Sequence, residues 1–219
     1  MMTGQSFTAF LFDMDGTILD SIAVSSRVWT HWANSHHLNA ADVTKAMHGV
    51  RAVETIRRFA PPGVDVDHEA AKVTQAEMDD IDGIVAIPGA QQFLNSLPPE
   101  RWAIVTSAPR QLALRRLGAV GLPIPEILIC AEDVTKGKPA PDCFIAAARR
   151  LGVDIADCLV WEDAEAGIKA AEAAGASVRI ITATHSEPLQ SPHPVALNYE
   201  NLAIRSDAAG RLIVLETGR

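Results

Sequence analysis

Residues 7–17, Phe-Thr-Ala-Phe-Leu-Phe-Asp-Met-Asp-Gly-Thr, decide the fold of this chain of 219 residues. Five of the first six residues in the stretch are apolar, and such a nearly unbroken run predicts a central parallel strand that is covered on both faces. The run stops at Asp13, which is followed by a second acid, Asp15, and by Gly16. The stretch therefore predicts a buried strand that ends in two carboxylates and a turn.

Four more apolar runs follow along the chain, and segments with helical periodicity lie between them. The runs occupy residues 102–105, 127–130, 158–161 and 178–181. Alternation of strands and helices predicts an α/β fold, a doubly wound, Rossmann-like core around a parallel sheet. Two helices have clear C-terminal stops at Gly152 and Gly175. Residues 201–204 and 211–215 predict a terminal β-hairpin.

The segment after the first strand departs from this alternation. Residues 21–86 have helical periodicity throughout, which predicts an inserted all-helical cap domain. We therefore divide the chain into an α/β core, residues 1–20 and 87–219, and a cap, residues 21–86. Trp29 and Trp32 share one helix face, and we expect them in the interior of the cap rather than in a sugar-stacking platform.

The composition limits the possible partners. The net charge of -8 disfavours nucleic acid, which binds to basic surfaces. The sequence has neither a secretory signal at its start nor an apolar stretch of about 18 residues, so we expect no membrane partner. Cys130, Cys143 and Cys158 match no disulfide or zinc spacing and indicate reduced thiols. We expect a cytoplasmic monomer or weak dimer.

Two predicted strand ends carry acidic pairs. Asp13 and Asp15 follow the first strand, and Glu162 and Asp163 follow the run at residues 158–161. Burying carboxylates together without a cation is costly, since two unit charges about 4 Å apart repel by roughly 4 kcal/mol at an effective dielectric of 20. Oxygen ligands suit Mg²⁺, and the absence of His and Cys from these motifs disfavours zinc. The sequence therefore predicts a Mg²⁺ site.

Two further strand ends carry groups that bind anions. Thr106 and Ser107 follow the run at residues 102–105 and precede a helix, where hydroxyls and backbone amides bind phosphate. Lys138, in a Gly-Lys-Pro sequence, supplies an ammonium that neutralises a carboxylate and a phosphoryl oxygen together. Each feature alone also fits a surface loop or a helix cap. In order at four strand ends, they predict an active site.

This ordered set resembles the haloacid dehalogenase superfamily, in particular its phosphatases with a helical cap. The resemblance runs from about residue 7 to residue 183 and is carried by four motifs. They are Phe-Asp-Met-Asp-Gly-Thr-Ile at 12–18, Val-Thr-Ser at 105–107, Lys-Gly-Lys-Pro-Ala-Pro-Asp at 136–142 and Trp-Glu-Asp-Ala-Glu-Ala-Gly at 161–167. The resemblance implies a Mg²⁺-dependent phosphomonoester hydrolase.

The resemblance also implies a role for each motif residue. Asp13 would be the nucleophile that forms an aspartyl phosphate, and Asp15 the acid that protonates the leaving oxygen and later deprotonates water. Thr106 would bind the phosphoryl group, and Lys138 would hold it against Asp13. The Mg²⁺ ligands would be Asp13, the main-chain carbonyl of Asp15, Asp163 and, as an auxiliary ligand or supporting partner, Glu162.

The cap is expected to determine which phosphoester is bound. Residues 47–51, Met-His-Gly-Val-Arg, resemble the cap of glycerol-3-phosphate and 2-deoxyglucose-6-phosphate phosphatases, which implies a small sugar or polyol phosphate. His48 and Arg51 are then expected to bind the substrate. The alternative is that Arg51 is an ordinary exposed helix residue and that His48 is a loop residue. Two alternative reactions are phosphoglycolate hydrolysis and a β-phosphoglucomutase-like phosphotransfer. A third alternative is a non-catalytic sensor, which would not be an enzyme.

The remaining paired histidines are expected at the surface. His36 and His37 lie in a polar loop, and His185 and His193 lie in a polar, proline-rich stretch. We expect no carboxylate partner for them, and therefore no second metal site.

Overall fold

A computed structural model describes residues 5–187 and 190–218. Its strands are β1 (Ser6–Phe7), β2 (Ala9–Phe12), β3 (Leu19–Asp20), β4 (Val85–Ala86), β5 (Trp102–Val105), β6 (Ile127–Ile129), β7 (Cys158–Glu162), β8 (Ser177–Ile181), β9 (Val195–Ala196), β10 (Leu202–Ser206) and β11 (Leu212–Glu216). Its α-helices are α1 (Ile22–Ser35), α2 (Ala40–Met47), α3 (Ala52–Phe59), α4 (Val66–Asp79), α5 (Ala90–Asn95), α6 (Arg110–Val120), α7 (Asp142–Leu151) and α8 (Glu165–Ala174).

A six-stranded parallel sheet lies at the centre, with the strand order β6-β5-β2-β7-β8-β9. Strand β2 is central, and Leu11 lies between Ala103 of β5 and Val160 of β7. This order confirms the predicted α/β fold with a doubly wound parallel core. Gly152 and Gly175 follow the last residues of α7 and α8, as predicted.

Different helices cover the two faces of the sheet. Phe10 and Phe12 pack in one apolar cluster with Phe93 of α5, and residues of α6 belong to the same cluster. Leu11, between them in sequence, packs in a second cluster with Phe144 of α7, and residues of α8 join it. Because successive residues of a strand point to opposite faces, a strand buried on both sides must be apolar at every position. The apolar run of β2 has this physical cause.

Helices α1 to α4 lie between β3 and β4, which pair antiparallel with Leu19 opposite Ala86. The predicted helical segment, residues 21–86, differs only at its end, where residues 85–86 form β4. An apolar cluster inside the segment contains Trp29 and Trp32, which are both buried. The two tryptophans therefore pack in the interior of the helical segment, as predicted. Its status as a separate domain stays a prediction, and we call residues 21–86 the cap.

The predicted first strand divides at Thr8. The backbone N–H of Thr8 donates a hydrogen bond to the carbonyl of Asp157 at 2.8 Å and so leaves the strand ladder. β2 continues in the parallel sheet, whereas β1 pairs antiparallel with β11. The predicted terminal hairpin is formed by β10 and β11, and β1 makes it a three-stranded sheet.

The longest helices, α1 and α4, have 14 residues each. A helix that spans a bilayer needs about 20 apolar residues. Within residues 5–187 and 190–218, no helix is long and apolar enough to cross a membrane.

Candidate active site

The predicted polar residues meet at one edge of the parallel sheet. Asp13 follows β2, Thr106 follows β5 and Asp163 follows β7, and β2 lies between the other two strands. Lys138 comes from the loop after β6, and its Nζ donates to the carbonyl of Val105 at 3.1 Å. Carboxyl ends of neighbouring parallel strands open on the same side of a sheet, where α/β proteins bind ligands. The four features predicted from the sequence thus lie together.

Lys138 is the buried cation of the site. Its Nζ donates to Asp13 Oδ1 at 2.5 Å and to Glu162 Oε1 at 2.6 Å, in addition to the carbonyl of Val105. An ammonium has three donors, so these acceptors use all of them. Burial opposes the charge, but Asp13 and Glu162 together raise the pKa of Lys138 above its ordinary value. Lys138 is therefore a permanently charged group held in one position.

Asp13 has an environment that disfavours its ionised form. The residue is 4% exposed, and burial together with the charge of Glu162 raises its pKa to about 8, although Lys138 acts in the opposite direction. Thr17 Oγ1 lies 3.4 Å from the second oxygen of Asp13, Oδ2, but donates over the shorter distance of 3.1 Å to Asp163 Oδ1. An acid with this pKa is mostly protonated at pH 7. A carboxylate nucleophile here therefore requires more positive charge than Lys138 supplies.

Asp13, Glu162 and Asp163 form an acidic cluster, with one oxygen of each lying within 4.8 Å of the others. Burial, followed by the charges of Glu162 and Asp13, raises the pKa of Asp163 well above its ordinary value. Three carboxylates face a single ammonium, and their donor atoms are all oxygens. This donor set fits a hard divalent cation such as Mg²⁺, whose charge would offset the repulsion.

Gly16 makes the close approach of Asp13 and Asp163 possible. Its φ is +87°, a conformation that residues with a Cβ rarely adopt. A Cβ at this position would lie 2.0 Å from Asp163 Oδ2. The turn after the first acidic pair is therefore restricted to glycine by both backbone conformation and space.

Glu162 was predicted as an auxiliary metal ligand or supporting partner, and its contacts favour the supporting position. Oε1 accepts from Lys138, and Oε2 accepts from the backbone N–H groups of Asp163 and Ala164 at 3.0 and 3.1 Å. A Cβ on Gly167 would lie 1.5 Å from Oε1, so the helix backbone closes over the carboxylate. Glu162 thus fixes Lys138 and the loop that carries Asp163.

Thr106 and Ser107 have different surroundings. Thr106 is buried at the cavity wall, and its Oγ1 accepts a hydrogen bond from the backbone N–H of Ala108 at 3.0 Å. Ser107 Oγ donates to the carbonyl of Gly49 in the cap at 2.8 Å. Both residues line the cavity, but the hydroxyl of Ser107 joins the core to the cap in this arrangement.

Asp15 is held by residues that the sequence motifs did not reveal. Its Oδ1 accepts hydrogen bonds from Ser21 Oγ at 2.6 Å and from Arg116 Nη1 at 2.8 Å. Arg116 also donates to Ser25 Oγ at 3.0 Å and contacts Glu77 Oε1 at 3.1 Å. Burial opposes the charge of Arg116, but Asp15 and Glu77 raise its pKa. Burial raises the pKa of Glu77, and Arg116 opposes this.

These contacts surround a cavity between the core and the cap. Its volume is about 80 Å³, below the roughly 300–1,000 Å³ of typical ligand pockets. The core contributes Asp13, Asp15, Thr106, Ser107, Arg116 and Asp163 to the wall, and the cap contributes Ser25, Trp29, His48, Thr74 and Glu77, among others. The space between core and cap is therefore narrow in this arrangement.

The two cap residues predicted to bind substrate lie in different places. His48 lines the cavity, and burial together with the charge of His185 lowers its pKa. Arg51 is absent from the cavity wall. Its guanidinium donates to Glu54 Oε1 and to the carbonyls of Val134 and Thr135, at 3.2 and 3.1 Å for the carbonyls. Arg51 thus joins cap and core in this arrangement, and its contact with substrate stays a prediction.

The expectation that the paired histidines lack carboxylate partners is wrong for two of them. His36 Nε2 lies 3.0 Å from Glu69 Oε2, and His193 Nε2 lies 2.8 Å from Glu172 Oε1. These acids are 33 and 21 residues away in sequence and come close only in the folded chain. His185 Nε2 is 2.9 Å from the carbonyl of Asp163, at the border of the site.

Comparison with known proteins agrees with this geometry. Residues 7–175 match the family model of the haloacid dehalogenase-like hydrolases. Hexitol phosphatase A of Escherichia coli is 35% identical over 210 residues, which cover 94% of this chain and 97% of that protein. The 2-deoxyglucose-6-phosphate phosphatase 1 of Saccharomyces cerevisiae is 31% identical over 198 residues, 81% of this chain and 80% of that protein.

A solved structure extends the likeness to three dimensions. The crystal structure of a hydrolase from Pseudomonas syringae superposes with a TM-score of 0.74 at 28% identity, covering 82% of this chain and 87% of that chain. The sequence match spans most of the chain and includes the four motifs at the strand ends. The chain therefore belongs to the haloacid dehalogenase-like hydrolase family.

Proposed function

We propose that the protein is a Mg²⁺-dependent phosphatase that hydrolyses a small sugar or polyol phosphate through an aspartyl phosphate on Asp13. The observation that carries the proposal is the arrangement of Asp13, which is bound by Lys138 and lines the same cavity as Asp15. A nucleophile, a cation and an acid are thereby gathered around one small space, which is the arrangement that phosphoryl transfer requires.

The first half of the reaction transfers the phosphoryl group to the protein. A carboxylate oxygen of Asp13 attacks phosphorus, the bond to the leaving oxygen breaks, and Asp15 gives that oxygen its proton. Lys138 holds Asp13 in position and offsets the negative charge that the phosphoryl group brings. Thr106, buried at the cavity wall, binds a phosphoryl oxygen.

The second half restores Asp13. Asp15, now ionised, accepts a proton from water, and the water oxygen forms a bond to phosphorus as the bond to Asp13 breaks. Asp13, Asp163 and the main-chain carbonyl of Asp15 would hold Mg²⁺, with Glu162 supporting them. The metal ion would supply positive charge that screens the repulsion between the carboxylate and the phosphate dianion.

The class of substrate is inferred from the cavity and from the relatives. Hydroxyl and charged side chains of the cap reach the cavity next to Asp15, which suits a hydroxylated leaving group. Two relatives that match this chain over most of their length bear the names of a hexitol phosphatase and a 2-deoxyglucose-6-phosphate phosphatase. Both names denote small hydroxylated phosphoesters.

Phosphate release from a panel of phosphoesters tests the proposal. We expect turnover of a hexitol phosphate and a hexose phosphate in Mg²⁺, none in EDTA, and none for Asp13→Asn at any metal concentration. Thermal unfolding verifies that Asp13→Asn is folded. Absence of phosphate release from every ester, or appreciable turnover by Asp13→Asn, would contradict the proposal. Product analysis with a hexose 1-phosphate separates hydrolysis from a phosphotransfer that returns an isomeric phosphate.

A further inference from the structure

The cavity has one wall that the proposed phosphoryl transfer does not use. We call Ser25, Thr74, Glu77 and Arg116 the charged wall, and all four line the cavity. Ser25 lies on α1, Thr74 and Glu77 lie on α4, and Arg116 lies on α6. The guanidinium of Arg116 connects Ser25 and Glu77 to Asp15. The charged wall therefore begins beside the proposed acid.

Burial of the charged wall has an unfavourable free energy of desolvation, and packing alone does not explain why the wall is buried. The side chains of Arg116 and Glu77 are 4% and 9% exposed. A buried ion pair is often no more stable than apolar residues of the same size, because both charges lose their hydration. Nε of Arg116 is also buried without a hydrogen-bond partner among the described residues. Because Arg116 and Glu77 both line the cavity, their location suits recognition of a ligand better than a contribution to stability.

The location of Asp15 decides which part of a substrate faces this wall. Asp15 delivers its proton to the leaving oxygen, so the carbon atoms attached to that oxygen lie next to Asp15. Arg116 reaches from Asp15 to Glu77 with a single guanidinium, at 2.8 and 3.1 Å. The charged wall therefore faces the leaving alcohol, whereas Asp13 and Thr106 line the part of the cavity that would hold the phosphoryl group.

The charges of the wall discriminate between kinds of leaving alcohol. The guanidinium of Arg116 already faces two acids, Asp15 and Glu77, so it has no positive charge left for a carboxylate on the substrate. A neutral hydroxyl, in contrast, donates a hydrogen bond to the carboxylate of Glu77 and exchanges hydrogen bonds with the hydroxyls of Ser25 and Thr74. A site built to bond a hydroxyl also discriminates against an analogue that lacks one.

We propose that the charged wall selects a neutral, polyhydroxylated leaving alcohol and that Glu77 is its specificity-determining residue. This inference rests on the proposed phosphatase function. Glu77 accepts a hydrogen bond from a substrate hydroxyl near the ester oxygen. The same wall disfavours phosphoglycolate, whose leaving alcohol carries a carboxylate.

The test compares kcat/KM for three esters: a hexitol 6-phosphate, p-nitrophenyl phosphate, which has no aliphatic hydroxyl, and phosphoglycolate. Glu77→Gln should lower kcat/KM for the hexitol phosphate by about tenfold, because a neutral amide oxygen accepts a weaker hydrogen bond than a carboxylate oxygen. The value for p-nitrophenyl phosphate should stay within about threefold, and phosphoglycolate should become a better substrate, because Arg116 then carries unbalanced charge. Asp79→Asn, an exposed acid on the same helix, should leave all three values unchanged.

The outcomes separate the inference from the function on which it rests. A wild-type protein that hydrolyses none of the three esters contradicts the proposed function. A wild-type protein that hydrolyses the hexitol phosphate, together with a Glu77→Gln variant that changes all three values by the same factor, overturns the inference alone. If thermal unfolding shows that Glu77→Gln is not folded, Thr74→Val is measured instead, and a several-fold loss confined to the hexitol phosphate is then required.

Discussion

Removal of divalent cations should make the stability of this protein strongly dependent on pH, because of Asp13. In the folded protein, burial and the charge of Glu162 raise the pKa of Asp13 from 3.8 to about 8. In the unfolded chain, the pKa of this carboxyl has its ordinary value. Between these two values the folded protein retains a proton that the unfolded chain has released, so the free energy of unfolding falls as the pH rises. Above about pH 8 both states are ionised and the loss is complete.

The size of the loss follows from the same two pKa values. Each factor of ten in proton affinity corresponds to about 1.36 kcal/mol, so a change from 3.8 to about 8 gives at most about 6 kcal/mol. Proteins are commonly stable by about 5–15 kcal/mol, so this is a large fraction of the total. Asp163, whose pKa is raised by the same kinds of cause, steepens the loss. Under the proposed function, bound Mg²⁺ should stabilise the ionised carboxylates and restore stability near neutral pH.

Urea unfolding between pH 5 and pH 8, in EDTA and in MgCl₂, measures the effect. In EDTA the wild-type protein should lose stability steadily across this range, and Asp13→Asn should lose much less, since it has no proton to release there. Mg²⁺ should stabilise the wild-type protein at pH 8 far more than Asp13→Asn. Asp42→Asn, which alters an exposed acid of α2, is the control and should follow the wild-type curve. Parallel curves for wild type and Asp13→Asn in EDTA would refute the reasoning.

Three further substitutions test the geometry. Gly16→Ala should abolish activity and should destabilise the fold by more than Gly63→Ala does. Both glycines have φ near +90°, but only at Gly16 would the new Cβ meet a carboxylate oxygen, at 2.0 Å. Equal losses of stability in thermal unfolding would argue against the clash. Arg51→Ala should lower the free energy of unfolding by about 1–3 kcal/mol and should raise the KM of all esters by about the same factor. Arg57→Ala, which changes an exposed arginine, is the control. A change of KM confined to one ester would instead support contact of Arg51 with the substrate. Lys138→Met should cost about 3–5 kcal/mol at pH 8, because two buried carboxylates lose their ammonium; unchanged urea midpoints would contradict this.

Most of the core of the site could be predicted from the sequence because three of its motifs directly follow a strand. The apolar run of β2 fixes where that strand ends, and Asp13 is the next residue. The same holds for Thr106 after β5 and for Asp163 after β7. Parallel strands then bring these ends together whatever the connecting helices do. The short-range pattern was therefore sufficient for the acidic cluster, whereas the position of Lys138 depends on the fold of the loop after β6.

The charged wall could not be predicted in this way, because it forms where α4 of the cap meets α6 of the core. Arg116 lies among the buried positions Leu112, Ala113 and Leu117 of α6, and Glu77 follows buried Val73 on α4. A charged residue on a buried helix face is a signal that the sequence contains for both residues. Nothing in the sequence around Arg116 or Glu77, however, identifies the other residue as its partner. Only the docking of the cap brings them to 3.1 Å. The contacts of the Arg51 guanidinium with Val134 and Thr135 depend on the same packing of the cap against the core.

The contacts between cap and core are also contacts of the site, so closing the cap and completing the cavity are one event. Ser107, beside Thr106, donates to the carbonyl of Gly49, and Arg116, which holds Asp15, donates to Ser25 of α1 and contacts Glu77 of α4. When the cap moves away, Arg116 loses its cap partners and the cavity opens to water. Under the proposed function, a substrate that contacts the charged wall should favour the arrangement in which the cap contacts Arg116 and Arg116 holds Asp15. Recognition of the leaving alcohol by the cap is thereby linked to the readiness of the acid that must protonate it.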